Sequence, residues 1–429
     1  MRILEIRRLW LSTSLSLIYR ILLATYAEPV SAMIVTESQK LVSNPSDAGT
    51  LFGYSSAISG NTAIVGAHSE DGGAAYIFER NIDGIWSQVS RLTAYGSNPG
   101  DGFGISVAID GNLALVGGRG VNFTGGAWSF QRDSLGQWSP AGKLPAFGLA
   151  LGDFFGNNVA ISGDVALVGA NHDTNRGRDA GAAYFFHRDS SGVWTQTSKV
   201  YGNDTNSRDI FGGSVSLDGN TAVIGGLGHE AAYVFQAGTS GTWEQIARLQ
   251  ARDPGQKQFG IDVSIDGPTI VVGANYDNTE TGATYVFEEV TDDNWSQVAK
   301  LLAPDAAIAR HFGESVAVSG NLLIAGSTYD DLLAGSAHIF AKGASGWQLR
   351  STLQASDRAT EDLFYRVSLD GQTAFVGAWR DDHDGFVDAG AAYVFESIPE
   401  PTAIAYTIAA IAPGILRRRK SRYRKISDG

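Results

Sequence analysis

The chain has no cysteine among its 429 residues. That excludes a disulfide framework and thiolate chemistry, and leaves the redox compartment unmarked. Methionine is nearly as scarce, at two residues, and long polar stretches with helical periodicity are few, which argues against a helical fold. No nucleophile motif occurs, and none of the seven histidines forms a His-x-x-x-His metal pair. Positive charge is short as well, with 32 Lys and Arg against 45 Asp and Glu, a net charge of −13. The seven basic and one acidic residues of 402–429, with the four basic and two acidic residues of 1–32, hide part of this imbalance; the segment 33–401 stands at −21. Such a balance opposes nucleic acids and anionic surfaces and makes cations natural partners. Glycine is abundant, at 53 residues in a chain that is 43% hydrophobic, which reads as strands and turns around a sizeable core.

One phrase repeats seven times: Phe-Gly, about six residues, Ser/Asp-Gly, an apolar run ending in Val-Gly-Ala, an acidic loop, Gly-Ala-Ala-Tyr-Val-Phe, then Trp and Gln. Its starts are Phe52, Phe103, Phe155, Phe211, Phe259, Phe312 and Phe364, at spacings of 51, 52, 56, 48, 53 and 52 residues. A period near fifty fits one four-stranded blade of a β-propeller better than a helical solenoid. The expected fold is therefore all-β: a seven-bladed β-propeller of four-stranded antiparallel blades over 36–396, with no room left for a separate catalytic domain.

Phe259 to Ala303 shows how one repeat makes one blade. Val263-Ser264-Ile265 alternates as a strand, Asp266-Gly267 turns the chain, and Thr269 to Val272 is β-branched. The same hairpin is expected at Ser59-Gly60, Asp110-Gly111, Ser162-Gly163, Asp218-Gly219, Ser319-Gly320 and Asp370-Gly371. Tyr285 and Phe287 of the third strand face one side and fill the space between blades. The fourth strand starts at Trp295, with partners at Trp86, Trp138, Trp194, Trp243 and Trp347. The seventh repeat has no fourth strand, and Glu37 to Leu41 matches the missing one, so an N-terminal strand should close the last blade. Glycines such as Gly66, Gly169 and Gly377 read as turn residues.

These residues resemble the FG-GAP repeats of the integrin α-subunit propeller and of many bacterial surface proteins. The resemblance implies a recognition platform, and in that family several repeats hold calcium in an Asp-rich loop between the first two strands. Here the tight Ser/Asp-Gly hairpin replaces that loop, so the family's site is not carried over. Repeat seven departs further, with Tyr365 where Gly follows Phe elsewhere.

Variation concentrates in the loops between strands two and three. The fourth residue after the Gly of Val-Gly-Ala is Glu70, Asp173, Asp277, Asp330 or Asp381 in five repeats, and Val121 or His229 in the others. Two readings stand: a broken ring of carboxylates on one face, or acids that each cap their own loop. Repeat seven is the richest, Asp381-Asp382-His383-Asp384-Gly385-Phe386-Val387-Asp388, and its Asp381, Asp382, Asp384 and Asp388 are candidate Ca²⁺ ligands. Tyr276, Tyr329 and Trp379 accompany the acids, as a sugar-binding surface would need. Of the histidines, His68, His172, His229 and His383 lie in these loops without a catalytic motif.

The two ends point to export. Arg2, Arg7 and Arg8 precede an apolar stretch from Leu9 to Ile18, with Val30-Ser31-Ala32 as a small-residue cleavage site, so 1–32 reads as a signal peptide. In 397–429, Pro399-Glu400-Pro401 is followed by an apolar segment, 402–416, and a basic cluster, 417–425. This order resembles the PEP-CTERM sorting signal, which implies transient membrane contact and processing by an exosortase-type enzyme near the Pro-Glu-Pro. The sequence thus leads to an exported, non-enzymatic binding or adhesion propeller at the bacterial cell envelope, outer surface or extracellular matrix, engaging a protein or polysaccharide. A carbohydrate-binding, lectin-like protein is the alternative, and a polysaccharide hydrolase or lyase the third reading.

Overall fold

The computed structural model describes residues 33–398 apart from 95–99, 121–123, 240, 254, 256, 292–293, 305–309 and 331. The segment 1–32 read above as a signal peptide, the Pro399-Glu400-Pro401 tail and Val121 lie outside the described residues. The chain divides into units of residues 1–33 and 34–429, and the propeller is built in the second.

Seven antiparallel sheets follow one another in sequence, one for each repeat. Blade 5 consists of Phe259–Asp266, Thr269–Ala274, Ala283–Thr291 and Asn294–Leu301. Its second strand, Thr-Ile-Val-Val-Gly-Ala, is buried throughout, while most of the outer strand is half-buried or exposed. This is the gradient that concentric stacking of β-branched strands requires. Blade 7 combines Phe364–Asp370, Thr373–Ala378 and Ala391–Phe395 with the N-terminal strand Gln39–Leu41, which pairs with Val394, Tyr393 and Ala392. The closing strand is where the repeat count placed it. A further strand, Met33–Thr36, lies on the outer edge of blade 6 beside Gly346–Gln354, so the N-terminal segment edges two consecutive blades. The sequence reading did not anticipate this fifth strand.

The core lies between blades. Phe259 meets Tyr285 and Phe287 of its own blade edge-on, at centroid distances of 5.4 and 6.0 Å, and this cluster packs on Val223, Val234 and Leu249 of blade 4. Each such aromatic ring withdraws a side chain worth about 1.5–3 kcal/mol on full burial. The Gly of Val-Gly-Ala has a packing role rather than a turning one. Gly66, Gly169 and Gly377 lie inside second strands, where an added Cβ would come 2.1, 2.0 and 1.9 Å from the carbonyl oxygens of Gly104, Gly212 and Gly53 on the next blade. Expecting turns there overlooked how closely neighbouring blades approach.

All seven first hairpins turn in two residues, and in each the Gly alone carries positive φ, between +50° and +59°. Glycine at the first turn position only is the type II′ arrangement. The residue before it also serves the next blade, because the backbone N–H of each turn Gly donates to the Ser or Asp side chain of the preceding blade's turn. These bonds run Ser59 to Gly111, Asp110 to Gly163, Ser162 to Gly219, Asp218 to Gly267, Asp266 to Gly320, Ser319 to Gly371 and Asp370 back to Gly60. A closed belt of seven hydrogen bonds results.

Candidate functional site

In each blade, the loop between strands two and three emerges on the face opposite this belt, beside the segments that join blades. Most of the acidic residues there are engaged within the protein. A third-strand Tyr stands directly across from a cation of the outer strand in five blades: Tyr76 with Arg91, Tyr184 with Lys199, Tyr233 with Arg248, Tyr285 with Lys300 and Tyr393 with Lys40. The loop carboxylate spans this pair. Glu70 accepts from Tyr76 at 2.5 Å and from Arg91 at 2.6 Å; Asp173 receives Lys199 at 2.6 Å; Asp277 receives Tyr285 and Lys300, the latter at 2.8 Å; Asp381 receives Tyr393 at 2.7 Å and Lys40 at 2.8 Å. Burial, with the adjacent carboxylates, pushes the hydroxyls of Tyr76, Tyr285 and Tyr393 well above the usual phenol range, so they remain donors.

In blade 4, with His229 at the loop position, Asp204 of the blade link accepts from Tyr233 at 2.8 Å and pairs with Arg248 at 2.9 Å. Blade 2 places the Lys143 ammonium 5.1 Å over Trp128, and blade 6 joins His338 to Thr352 at 3.1 Å, leaving Asp330 to Arg310. Lys257 and Arg310, two residues before Phe259 and Phe312, escaped the sequence reading. The equivalent residues in four other repeats, Asp101, Asp153, Asp209 and Asp362, carry the opposite charge, and that reversal of sign was the available signal. Lys257 pairs with Asp277 at 2.7 Å and Asp253 at 2.9 Å. In blade 7 the same position is acidic. Burial, reinforced by Asp381 and Asp357, raises the Asp362 carboxyl to about 6.

The remaining residues of the repeat-seven loop shape the loop itself. Asp382 accepts the backbone N–H of Asp388 at 2.8 Å, and Asp384 and Asp388 hold positive φ of 53° and 51°. Among the described residues no three His, Asp or Glu side chains converge as a metal ion requires. Trp379 stands edge-on to Tyr54 at 5.5 Å and beneath the Arg380 guanidinium at 5.0 Å.

Two aromatic residues of the set face solvent: Tyr276 is 37% exposed and Tyr329 48%. They flank His311, whose ring centroid lies 4.8 Å from that of Tyr276 and 4.4 Å from that of Tyr329, so blades 5 and 6 together present a short aromatic row. Each tyrosine also borders a cleft. One, of about 630 Å³, includes Tyr276, Lys257, Glu230 and Glu280; the other, of about 500 Å³, includes Tyr329, Leu332 and Glu361. Aromatic faces beside carboxylates offer stacking for a ring and acceptors for its hydroxyls.

The central channel is a second polar region. Its wall carries, at equivalent positions of the seven inner strands, Ser55, Ser106, Asn158, Ser214, Asp262, Ser315 and Arg366. All except Ser214 line a cavity of about 160 Å³. Near its rim, burial and the cations Arg119 and Arg366 depress His68 to about 4, so that imidazole is neutral at physiological pH.

Seven blades, each opened by a Phe and most of them clamped by a tyrosine and a cation, define a seven-bladed β-propeller. The FG-GAP repeat model matches residues 35–78, 86–128, 138–186, 194–235, 243–287, 295–340 and 347–395, and the chain belongs to that family. Among solved structures it is similar to a crystal structure of a protein from Lactobacillus plantarum, at 15% identity and a TM-score of 0.52, with 78% of this chain and 99% of that chain covered. At that identity the likeness concerns the fold alone. No curated protein matches the chain.

Proposed function

We propose that the protein is a non-enzymatic binding module whose loop face, at blades 5 and 6, engages a polysaccharide or a glycan-bearing protein at the cell envelope, outer surface or extracellular matrix. The observation that carries this reading is the exposed pair Tyr276 and Tyr329, bridged by the buried His311 ring, between two clefts bordered by Glu280 and Glu361. Outward-facing aromatic rings are costly to leave in water and serve as stacking surfaces, whereas the buried carboxylates Asp173, Asp277 and Asp381 are committed to their own blades. Export and sorting are supported by the leader-like pattern of 1–32 and the Pro-Glu-Pro, apolar and basic order of 397–429.

A glycan array probed with the full chain tests the reading directly. Saturable binding to a defined glycan class, weakened about tenfold or more in Tyr276→Ala and Tyr329→Ala variants, is the expected result, because each stacked ring contributes on the order of 1 kcal/mol or more. Binding that both variants retain in full would move the ligand site off this row.

A further inference from the structure

The channel wall is richer in hydrogen-bond donors than the charge of the chain suggests. Ser106 accepts the backbone N–H of Val159 at 3.0 Å, Asn158 that of Val215 at 3.2 Å, and Ser315 that of Val367 at 3.1 Å. Each of these side chains therefore spends acceptor capacity on the neighbouring blade. The two serine hydroxyl protons and the Asn158 amide N–H groups remain available to the cavity.

Arg366 adds a charge to this surface. It occupies the position where blades 1, 2, 4 and 6 carry Ser, and it follows Tyr365, the single departure from Phe-Gly. Its guanidinium lies 4.8 Å over the Tyr54 ring and 5.2 Å over the Tyr365 ring. Its Nε is sealed from solvent with no hydrogen-bond acceptor among the described residues. Leaving a buried cationic donor without an acceptor is expensive. Asp262, on the same wall, is not that acceptor: its oxygens take Ser214 at 2.7 Å, Val316 at 2.9 Å and Val263 at 3.1 Å. Asp262 and Glu314 lie within electrostatic reach of Arg366, so the cavity carries both signs, with Arg366 the one cation among its lining residues.

We infer that the central channel is a binding site for a small oxyanion, a carboxylate or phosphate, held by the Arg366 guanidinium with Ser106, Asn158 and Ser315 as supporting donors. The cavity of about 160 Å³ has the volume of about five water molecules, enough for such a group. Arginine suits this role because its planar fork meets two oxygens of one anion at once.

Isothermal titration of the full chain with sodium phosphate, sodium acetate and sodium chloride at matched ionic strength decides the matter. The expected result is saturable binding of phosphate, acetate or both, with none for chloride; which one binds identifies the oxyanion. Arg366→Gln should weaken that binding about tenfold or more, the usual loss for one charge-assisted contact. Asn158→Asp keeps the oxygen that Val215 needs and exchanges the inward-facing amide for negative charge, so it should weaken binding in the same sense even if Arg366→Gln fails to fold. Absence of saturable heat from both oxyanions, or affinity unchanged in Asn158→Asp, overturns the inference.

Discussion

The side chain of Asp370 accepts the backbone N–H of Gly60 at 2.6 Å, across 310 residues of sequence. An equivalent bond joins every other adjacent pair of blades, so the seam between blades 7 and 1 is closed by the same device as the rest of the ring. Asp370→Ala should lower stability by about 0.5–1.5 kcal/mol, the net worth of one hydrogen bond. Asp370→Ser should recover most of it, since Ser59, Ser162 and Ser319 accept the equivalent bond elsewhere. Comparing urea midpoints of the three proteins checks this; equal midpoints for the Ser and Ala variants would show that the belt bond contributes nothing.

Gly163 and Gly169 are six residues apart and should respond very differently to alanine. Gly163 sits in the hairpin at φ +53° with open space where a Cβ would go, so Gly163→Ala costs about 1–2 kcal/mol of left-handed strain. At Gly169 the new methyl would press into the Gly212 carbonyl at 2.0 Å, which no side-chain movement relieves. Gly169→Ala should cost about 3 kcal/mol or more, or abolish soluble expression. Melting temperatures of the two variants test the contrast, and similar values would contradict the close-approach account.

Lys40 holds two carboxylates, Asp357 at 2.6 Å and the buried Asp381 at 2.8 Å. Burial opposes the ammonium charge, yet its bonds to Asp357 and Asp381 keep the Lys40 pKa raised. Lys40→Met leaves Asp381 with the Tyr393 hydroxyl but without its cation. The expected loss is about 2 kcal/mol at neutral pH, below the full figure for a buried pair because Lys40 is partly wet. The Lys40 bond helps hold the Asp357 carboxyl below its ordinary 3.8, so the gap from the parent protein should hold from pH 7.5 to 5 and narrow only as pH falls below 3.8. A gap that stays equal down to pH 2.5 would assign the loss to packing.

Asp362 contributes the opposite kind of pH dependence. Its folded-state pKa of about 6 exceeds the ordinary 3.8, so between those values the folded protein binds the extra proton. Stability from this group is therefore greatest below about pH 4, falls as pH rises toward 6, and is level above that. Asp362→Asn should remove this slope and stabilise the protein at pH 7.5 by about 1–2 kcal/mol, after discounting for solvent near the loop. Thermal melts of both proteins from pH 4 to 8 provide the check; curves that stay parallel would rule out the shifted carboxyl.

The blades were legible in the sequence because their requirements are local and repeated. Phe-Gly, the turn pair and Tyr-x-Phe recur in most or all of the seven repeats, and that recurrence separates them from chance. Even the closing strand at Gln39–Leu41 could be found by counting Trp-containing strands. The loop carboxylates were visible as a pattern, but their partners were not: Arg91, Lys199, Lys300 and Lys40 lie on another strand, and only cross-strand register brings them to the tyrosines. The channel escaped for a related reason. Ser55, Ser106 and Ser315 are ordinary strand residues in a linear reading, and Arg366 gains meaning only when seven inner strands converge.

The N-terminal edge strand also sets a schedule. Gln39–Leu41 is among the first parts of the propeller to be synthesised, and its partner Ala391–Phe395 is the last. Until residue 395 has been made, the early strand has no sheet to join and the growing blades remain an open arc with two unpaired ends. Closure is then a single late event of the longest sequence separation in the fold, the kind of contact that folds slowly. A nascent chain truncated anywhere before blade 7 cannot mimic the finished ring, so completion of the molecule and acquisition of its channel coincide.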